Sequence, residues 1–134
     1  MSLSARSPSW YRRTFKDVSG QLVLGTSGDD QALVAALTNG TIFIQKIYVL
    51  ITTQSNTFLS FESGSGSGTA IFITATNPAV GTIYEIDFGA RGVALTEGEA
   101  FHLDVGATGL AATITWEGYA KLTGVGAPAT TGGL

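Results

Sequence analysis

"TIFIQKIYVLITT", residues 41–53, is the stretch that decides the fold. Thr, Ile, Tyr, Phe and Val dominate it, the residue types that suit a pleated strand. Its two alternating sets are both largely apolar: Ile42, Ile44, Tyr48 and Leu50 on one face, Phe43, Ile47, Val49 and Ile51 on the other. A strand apolar on both faces is covered on both faces. In a two-sheet sandwich only one face meets the core. The second cover is therefore expected to come from a neighbouring subunit, through the face of Ile42, Ile44, Tyr48 and Leu50.

Working outward, shorter segments of the same kind follow one another. "GQLVLGT" (20–26) reads as a strand. "DDQALVAALTNG" (29–40) mixes an Ala-rich helical composition with a closing Asn39-Gly40 turn, and strand is the better reading. "TFLSFE" (57–62) and "TAIFITAT" (69–76) flank a Ser/Gly run, and Asn77-Pro78 ends the second of them. "GTIYEIDFG" (81–89) alternates, with Tyr84, Ile86 and Phe88 opposed to Ile83, Glu85 and Asp87. "EAFHLDVG" (99–106) turns Phe101, Leu103 and Val105 inward and His102 and Asp104 outward. "ATITWEGYAKLT" (112–123) aligns Ile114, Trp116 and Leu122. About eight strands at a spacing of roughly 8–12 residues predict an all-β chain, a single antiparallel sandwich or barrel. Three regions result: an extended basic arm at 1–18, the β-domain at 19–123 and a Gly-rich tail at 124–134.

Composition narrows the function classes. The 134 residues include no cysteine, which removes disulfides, thiolate nucleophiles and Cys-based zinc sites. Residues 1–20 lack the apolar core of a secretory signal, and Ile47–Ile51 is far too short to span a bilayer. A soluble protein without a membrane partner is expected. Residues 1–16 carry Arg6, Arg12, Arg13 and Lys16 and no acid, whereas the other 118 residues hold three cations against ten acids. Bulk nucleic-acid binding by so acidic a body is not expected.

The candidate sites mostly have plainer readings. "FESGSGSGTAIFI" (61–73) lacks the third glycine of a dinucleotide loop, the lysine of a Walker loop and the central serine of an esterase elbow. Each of those motifs also precedes a helix, and here a strand follows. It is read as a hairpin tip rather than a site or an interdomain linker. His102, the only histidine, has Asp104 alone on its face, and an exposed strand histidine is expected rather than a metal ligand. Glu85/Asp87 and Glu97/Glu99 resemble paired glycosidase carboxylates, but the first pair sits on a solvated face and the second in a turn. Asp29-Asp30 lacks the spaced acids of a calcium loop. "NGT" at 39–41 reads as a turn rather than a glycosylation site. Trp116, Tyr119 and Tyr84 would suit sugar stacking, yet Trp116 falls on the core face. No catalytic residue, cofactor or metal is assigned. The basic arm, with Trp10 and Tyr11 as anchors, either is a free tail or reaches an acidic neighbour.

Residues 40–122 resemble a group of small phage virion proteins, the trimeric jelly-roll modules of head decoration (cement), head-fibre and tail-knob type. The resemblance is carried by "IQKIYVLITTQSNTFLSFESGSG", "GTIYEIDFGARG", "LTEGEAFHLDVGATG" and "ITWEGYAKL", in that order. These are strand-and-turn patterns, not catalytic signatures. The resemblance implies a jelly roll and a non-enzymatic homotrimer. It further implies a capsid decoration protein assembled in the host cytoplasm onto the major capsid protein. A receptor- or glycan-binding knob is the alternative. On that reading Arg6, Trp10, Tyr11, Arg12, Arg13 and Lys16 are the expected docking residues.

Overall fold

The computed structural model describes residues 15–65 and 68–122. They form ten strands: β1 (Phe15–Asp17), β2 (Gly20–Leu24), β3 (Gln31–Val34), β4 (Gly40–Thr53), β5 (Leu59–Ser63), β6 (Thr69–Ile73), β7 (Ile83–Asp87), β8 (Val93–Ala94), β9 (Phe101–Val105) and β10 (Ala111–Leu122). β1 and β2 pair with successive stretches of β10, so they are two pieces of one sheet edge. β7 and β8 share the free side of β4 in the same way. The first sheet runs β1/β2, β10, β4, β7/β8, and the second runs β3, β9, β5, β6, with every pair antiparallel. The chain is a β-sandwich, as the spacing of its strands predicts.

Two turns show how the edges are broken without leaving backbone groups unpaired. Between β1 and β2, Ser19 N donates to Asp17 Oδ1 at 3.0 Å. Ser19 Oγ in turn accepts from Gly118 N at 3.1 Å, keeping that amide of β10 satisfied where the edge strand leaves it. Between β7 and β8, Gly89 N donates to Asp87 Oδ1 at 2.7 Å. Gly92 there has φ +80°, and a Cβ on it would lie 2.8 Å from the Ile44 carbonyl oxygen, so only glycine fits.

The core lies between the sheets. Ile42, Ile44, Ile47, Val49, Ile51, Ala112, Ile114 and Ala120 enter it from the first sheet, and Leu59, Phe61, Phe101 and Leu103 from the second. Each buried aliphatic or aromatic side chain contributes roughly 1.5–3 kcal/mol. A run of rings links the two sheets: Phe72 packs on Phe61, Phe61 on Phe101, and Phe101 edge-on against Trp116. The Trp116 indole N–H donates to Val18 O at 2.7 Å, so its one polar group is paired.

β4 departs from strict alternation. Glu117 of β10 pairs with Lys46 and the next residue, Gly118, with Ile44, leaving Gln45 as an extra residue. This bulge reverses the parity of the strand. Ile42 and Ile44 before it and Ile47, Val49 and Ile51 after it all point into the core at 0–1% exposure. The expected face of Ile42, Ile44, Tyr48 and Leu50 is therefore split. Ile42 and Ile44 are core residues of their own subunit and offer nothing to a partner, while Tyr48 and Leu50 lie half-buried on the outside.

Two further differences concern boundaries. Phe15–Asp17 is a sheet strand, so the sandwich begins inside the expected arm. Within 29–40 the strand is confined to Gln31–Val34 and the first residue of β4, Gly40, and Asn39, at φ 57°, makes the turn between them. The Ser/Gly run does connect a hairpin, since Ser63 pairs with Thr69.

Candidate interaction surfaces

The outer face of the first sheet carries a largely apolar row across its full width, broken only by a threonine. In antiparallel strands directly opposed residues share a face. Val23 opposes Thr113, Thr113 opposes Leu50, and Leu50 opposes Ile83. Val23 is 75% exposed and Ile83 54%, with Val80, 61% exposed, in the turn that leads into β7. The next row holds Gln21, Thr115, Tyr48 and Glu85. Glu85 makes a surface ion pair with Lys46 at 3.6 Å, which accounts for one of the paired acids without chemistry.

Below the bulge the same face becomes aromatic. Phe43 and Tyr119 are directly opposed and stack with ring centres 4.9 Å apart, and Phe15 meets Tyr119 edge-on at 6.1 Å. Phe15, Gln45, Ala90 and Tyr119 line a shallow cavity of about 350 Å³. Two hydrogen bonds tie its wall to the β7–β8 turn: Gln45 Nε2 donates to Ala90 O at 2.6 Å and Tyr119 Oη to Arg91 O at 2.9 Å. Tyr119 is the one member of the expected sugar-stacking trio on an outer face. Trp116 is in the core, and Tyr84 faces inward against Phe72, its hydroxyl accepting from Ala75 N at 3.3 Å.

The outer face of the second sheet is ionisable. Glu62 opposes His102 and Ser60 opposes Asp104. His102 does point away from the core, but it is buried at 9% exposure rather than exposed as expected. Ser60 Oγ donates to Glu62 Oε2 at 2.9 Å. Desolvation holds the Asp104 carboxyl above the usual carboxylate range, a hydrogen bond and charge from Asp30 push the same way, and His102 opposes them. Glu62 was not legible as a site residue: its importance lies in its pairing with His102, and register across β5 and β9 leaves no local trace.

The remaining acids have structural partners. Glu99 Oε1 accepts from Ser63 Oγ at 2.9 Å, and Asp29 Oδ2 from Ser27 Oγ at 2.9 Å. Of the expected docking residues, Lys16 is exposed on β1, and Arg6, Trp10, Tyr11, Arg12 and Arg13 lie outside the described residues. Among the described residues, no three His, Cys, Asp or Glu side chains are arranged to hold a metal ion. No family model, curated protein or solved structure matches the chain.

Proposed function

We propose that the chain is a non-enzymatic structural protein of a phage virion, a jelly-roll module that binds the outer head surface as a trimer and stabilises it. With each broken edge counted once, the ten strands occupy eight places, in the orders 1-8-3-6 and 2-7-4-5. We read these as the two Greek keys of a jelly roll. The observation that carries the assembly half is the row Val23, Thr113, Leu50 and Ile83. It is continuous over four strand positions, three of them apolar and the fourth a threonine, and exposed at both ends, as a subunit contact requires. Tyr48 and Leu50 remain in that contact; Ile42 and Ile44 do not. The docking half rests on residues 1–16, where Arg6, Arg12, Arg13 and Lys16 supply charge for an acidic capsid surface and Trp10 and Tyr11 supply apolar anchors.

Light scattering over a tenfold dilution tests the assembly half. A trimer that persists, and that Ile83→Glu converts to monomer, is the expected result. A monomer at every concentration refutes it. For docking, the chain lacking residues 2–13, which leaves β1 intact, is expected to lose binding to heads of the phage that encodes it. Unchanged binding refutes that half.

A second reading is favoured by the cavity beside Tyr119. An aromatic wall with the Gln45 amide within it suits a saccharide ring, as in a receptor-binding knob. A glycan array separates the two, because a decoration protein shows no saccharide preference.

A further inference from the structure

Charge is distributed very unevenly between the sheets. Of the described residues, the first sheet and its β7–β8 turn hold Lys16, Lys46, Arg91 and Lys121 against Asp17, Glu85, Asp87 and Glu117, a balance of zero. The second sheet and the loops leading into it hold Asp29, Asp30, Glu62, Glu97, Glu99 and Asp104 and no cation. The whole excess of negative charge therefore sits on one side of the sandwich.

Four of the ionisable groups on that side converge. Gln31 pairs with Leu103, which brings the preceding residue, Asp30, beside Asp104, and Asp30 Oδ1 accepts from Val105 N at 2.7 Å. Asp104 lies two residues from His102, and His102 opposes Glu62. Neither β3 nor β6 contributes a titratable side chain. The residues that flank the pair in its own row are Ala32 and Ala70, which have no donor to give.

Glu62 and His102 are nevertheless more than nine-tenths buried, at 7% and 9% exposure. Glu62 Oε1 and His102 Nδ1 are both out of contact with solvent and have no hydrogen-bond partner among the described residues. A buried carboxylate oxygen without a donor is costly, and two further carboxyls beside it add repulsion. The cluster is short of donors and of positive charge, and every described cation belongs to the other sheet.

The chain has a source for both. Residues 1–14 include Arg6, Arg12 and Arg13 and no acid, and they join the fold at Phe15 on the first-sheet edge. Residues 123–134 contain no charged side chain. Fourteen residues reach up to roughly 45–50 Å when extended, several times the ~10 Å between packed sheets. A guanidinium offers five N–H donors in a rigid fork and keeps its charge when desolvated.

We propose that the Glu62–His102–Asp104–Asp30 cluster is the receptor for an arginine of the chain's own residues 1–14, from the same copy or a neighbouring one. The proposal does not depend on the virion reading. Where that reading holds as well, an acidic head surface competes with the cluster for the same arginines.

The test is a double-mutant cycle on the full chain at low salt. The variants are Arg6→Gln/Arg12→Gln/Arg13→Gln, Glu62→Gln and their combination, compared by urea unfolding. Neutralising the arginines is expected to lower the folding equilibrium constant about tenfold in the native background, the factor of one charge-assisted hydrogen bond. The same change is expected to do nothing in the Glu62→Gln background. Equal losses in both backgrounds overturn the proposal. If Glu62→Gln does not fold, the His102 ring resonances are followed by NMR in the native and arginine-neutralised chains. They are expected to differ at low salt and converge at 1 M salt, and identical spectra at low salt overturn it. Dilution then separates the copies, since only a contact between two molecules weakens with concentration.

Discussion

Deleting Gln45 leaves both faces of β4 as they are, whereas deleting Tyr48 turns one part of the strand against the other. In the native chain Gln45 is the extra residue that lets Ile42 and Ile44 face inward together with Ile47, Val49 and Ile51. Ile44 opposes Gly118 and Lys46 opposes Glu117, neighbours on β10, so removal of Gln45 closes the bulge in register and restores strict alternation. The five core residues then fall on one face with no slip. The loss is confined to two hydrogen bonds, from Gln45 Nε2 to Ala90 O at 2.6 Å and from Phe88 N to Gln45 O at 2.8 Å. At about 0.5–1.5 kcal/mol each, they come to ~1–3 kcal/mol. Gln45→Ala, which gives up only the first, is the control. Tyr48 lies in the regular part of the strand, opposite Thr115. Without it the short remainder, residues 49–53, slips by one residue, and a one-residue slip exchanges its faces. Val49 and Ile51, at 0% and 1% exposure, move to solvent. At about 1.5–3 kcal/mol for each fully buried side chain, that loss is ~3–6 kcal/mol. Against a total stability of roughly 5–15 kcal/mol, it is a large share. Urea unfolding followed by tryptophan fluorescence compares the three variants. A Gln45 deletion as costly as the Tyr48 deletion would refute the assignment of the bulge as the device that sets both faces of β4.

Two other substitutions probe the sheets separately. Asp104→Asn is expected to stabilise the protein by roughly 0.5–1 kcal/mol at neutral pH by removing a like charge opposed to Asp30 and Glu62. The sign in pH follows from the direction of the shift: a carboxyl raised above its ordinary 3.8 stabilises the fold below that value. That contribution is lost as pH rises through the folded-state value, so denaturation midpoints of native chain and variant are expected to diverge upward from about pH 4. Convergence at neutral pH would refute it. On β10, Gly118→Ala places a Cβ 2.5 Å from Phe43 O and is expected to cost about 1–3 kcal/mol. Gly25→Ala, with open space around it, is expected to change thermal stability by well under half as much.

Much of the sandwich was legible because most strands have one face in the core and one outside. β7, β9 and β10 keep that alternation throughout, so Tyr84 and Ile86, Phe101 and Leu103, and Ile114 and Trp116 could be placed from spacing alone. β4 could not. Its bulge is marked in the sequence only by the polar pair Gln45-Lys46 inside an apolar run, and a period-2 reading passes straight through it. β1 and β8 were missed for another reason. They are short and exist because a longer partner offers them an edge, so their sequences carry no pattern of their own. The setting of His102, opposite Glu62 in a row closed by Ala32 and Ala70, is a fact of four strands together.

The two outer faces also argue for a division of labour that composition conceals. The net charge of −3 averages an electrically balanced first sheet, a second side with six acids and no cation, and an N-terminal segment of opposite sign. A balanced face with an apolar row can approach a copy of itself without electrostatic cost, and salt should leave such a contact nearly unchanged. An acidic face repels its own copy and attracts cations, and that contact should weaken as salt is added. Ionic strength therefore separates the two surfaces without any mutation. If mass falls with salt while the His102 environment stays constant, the faces have been assigned the wrong way round.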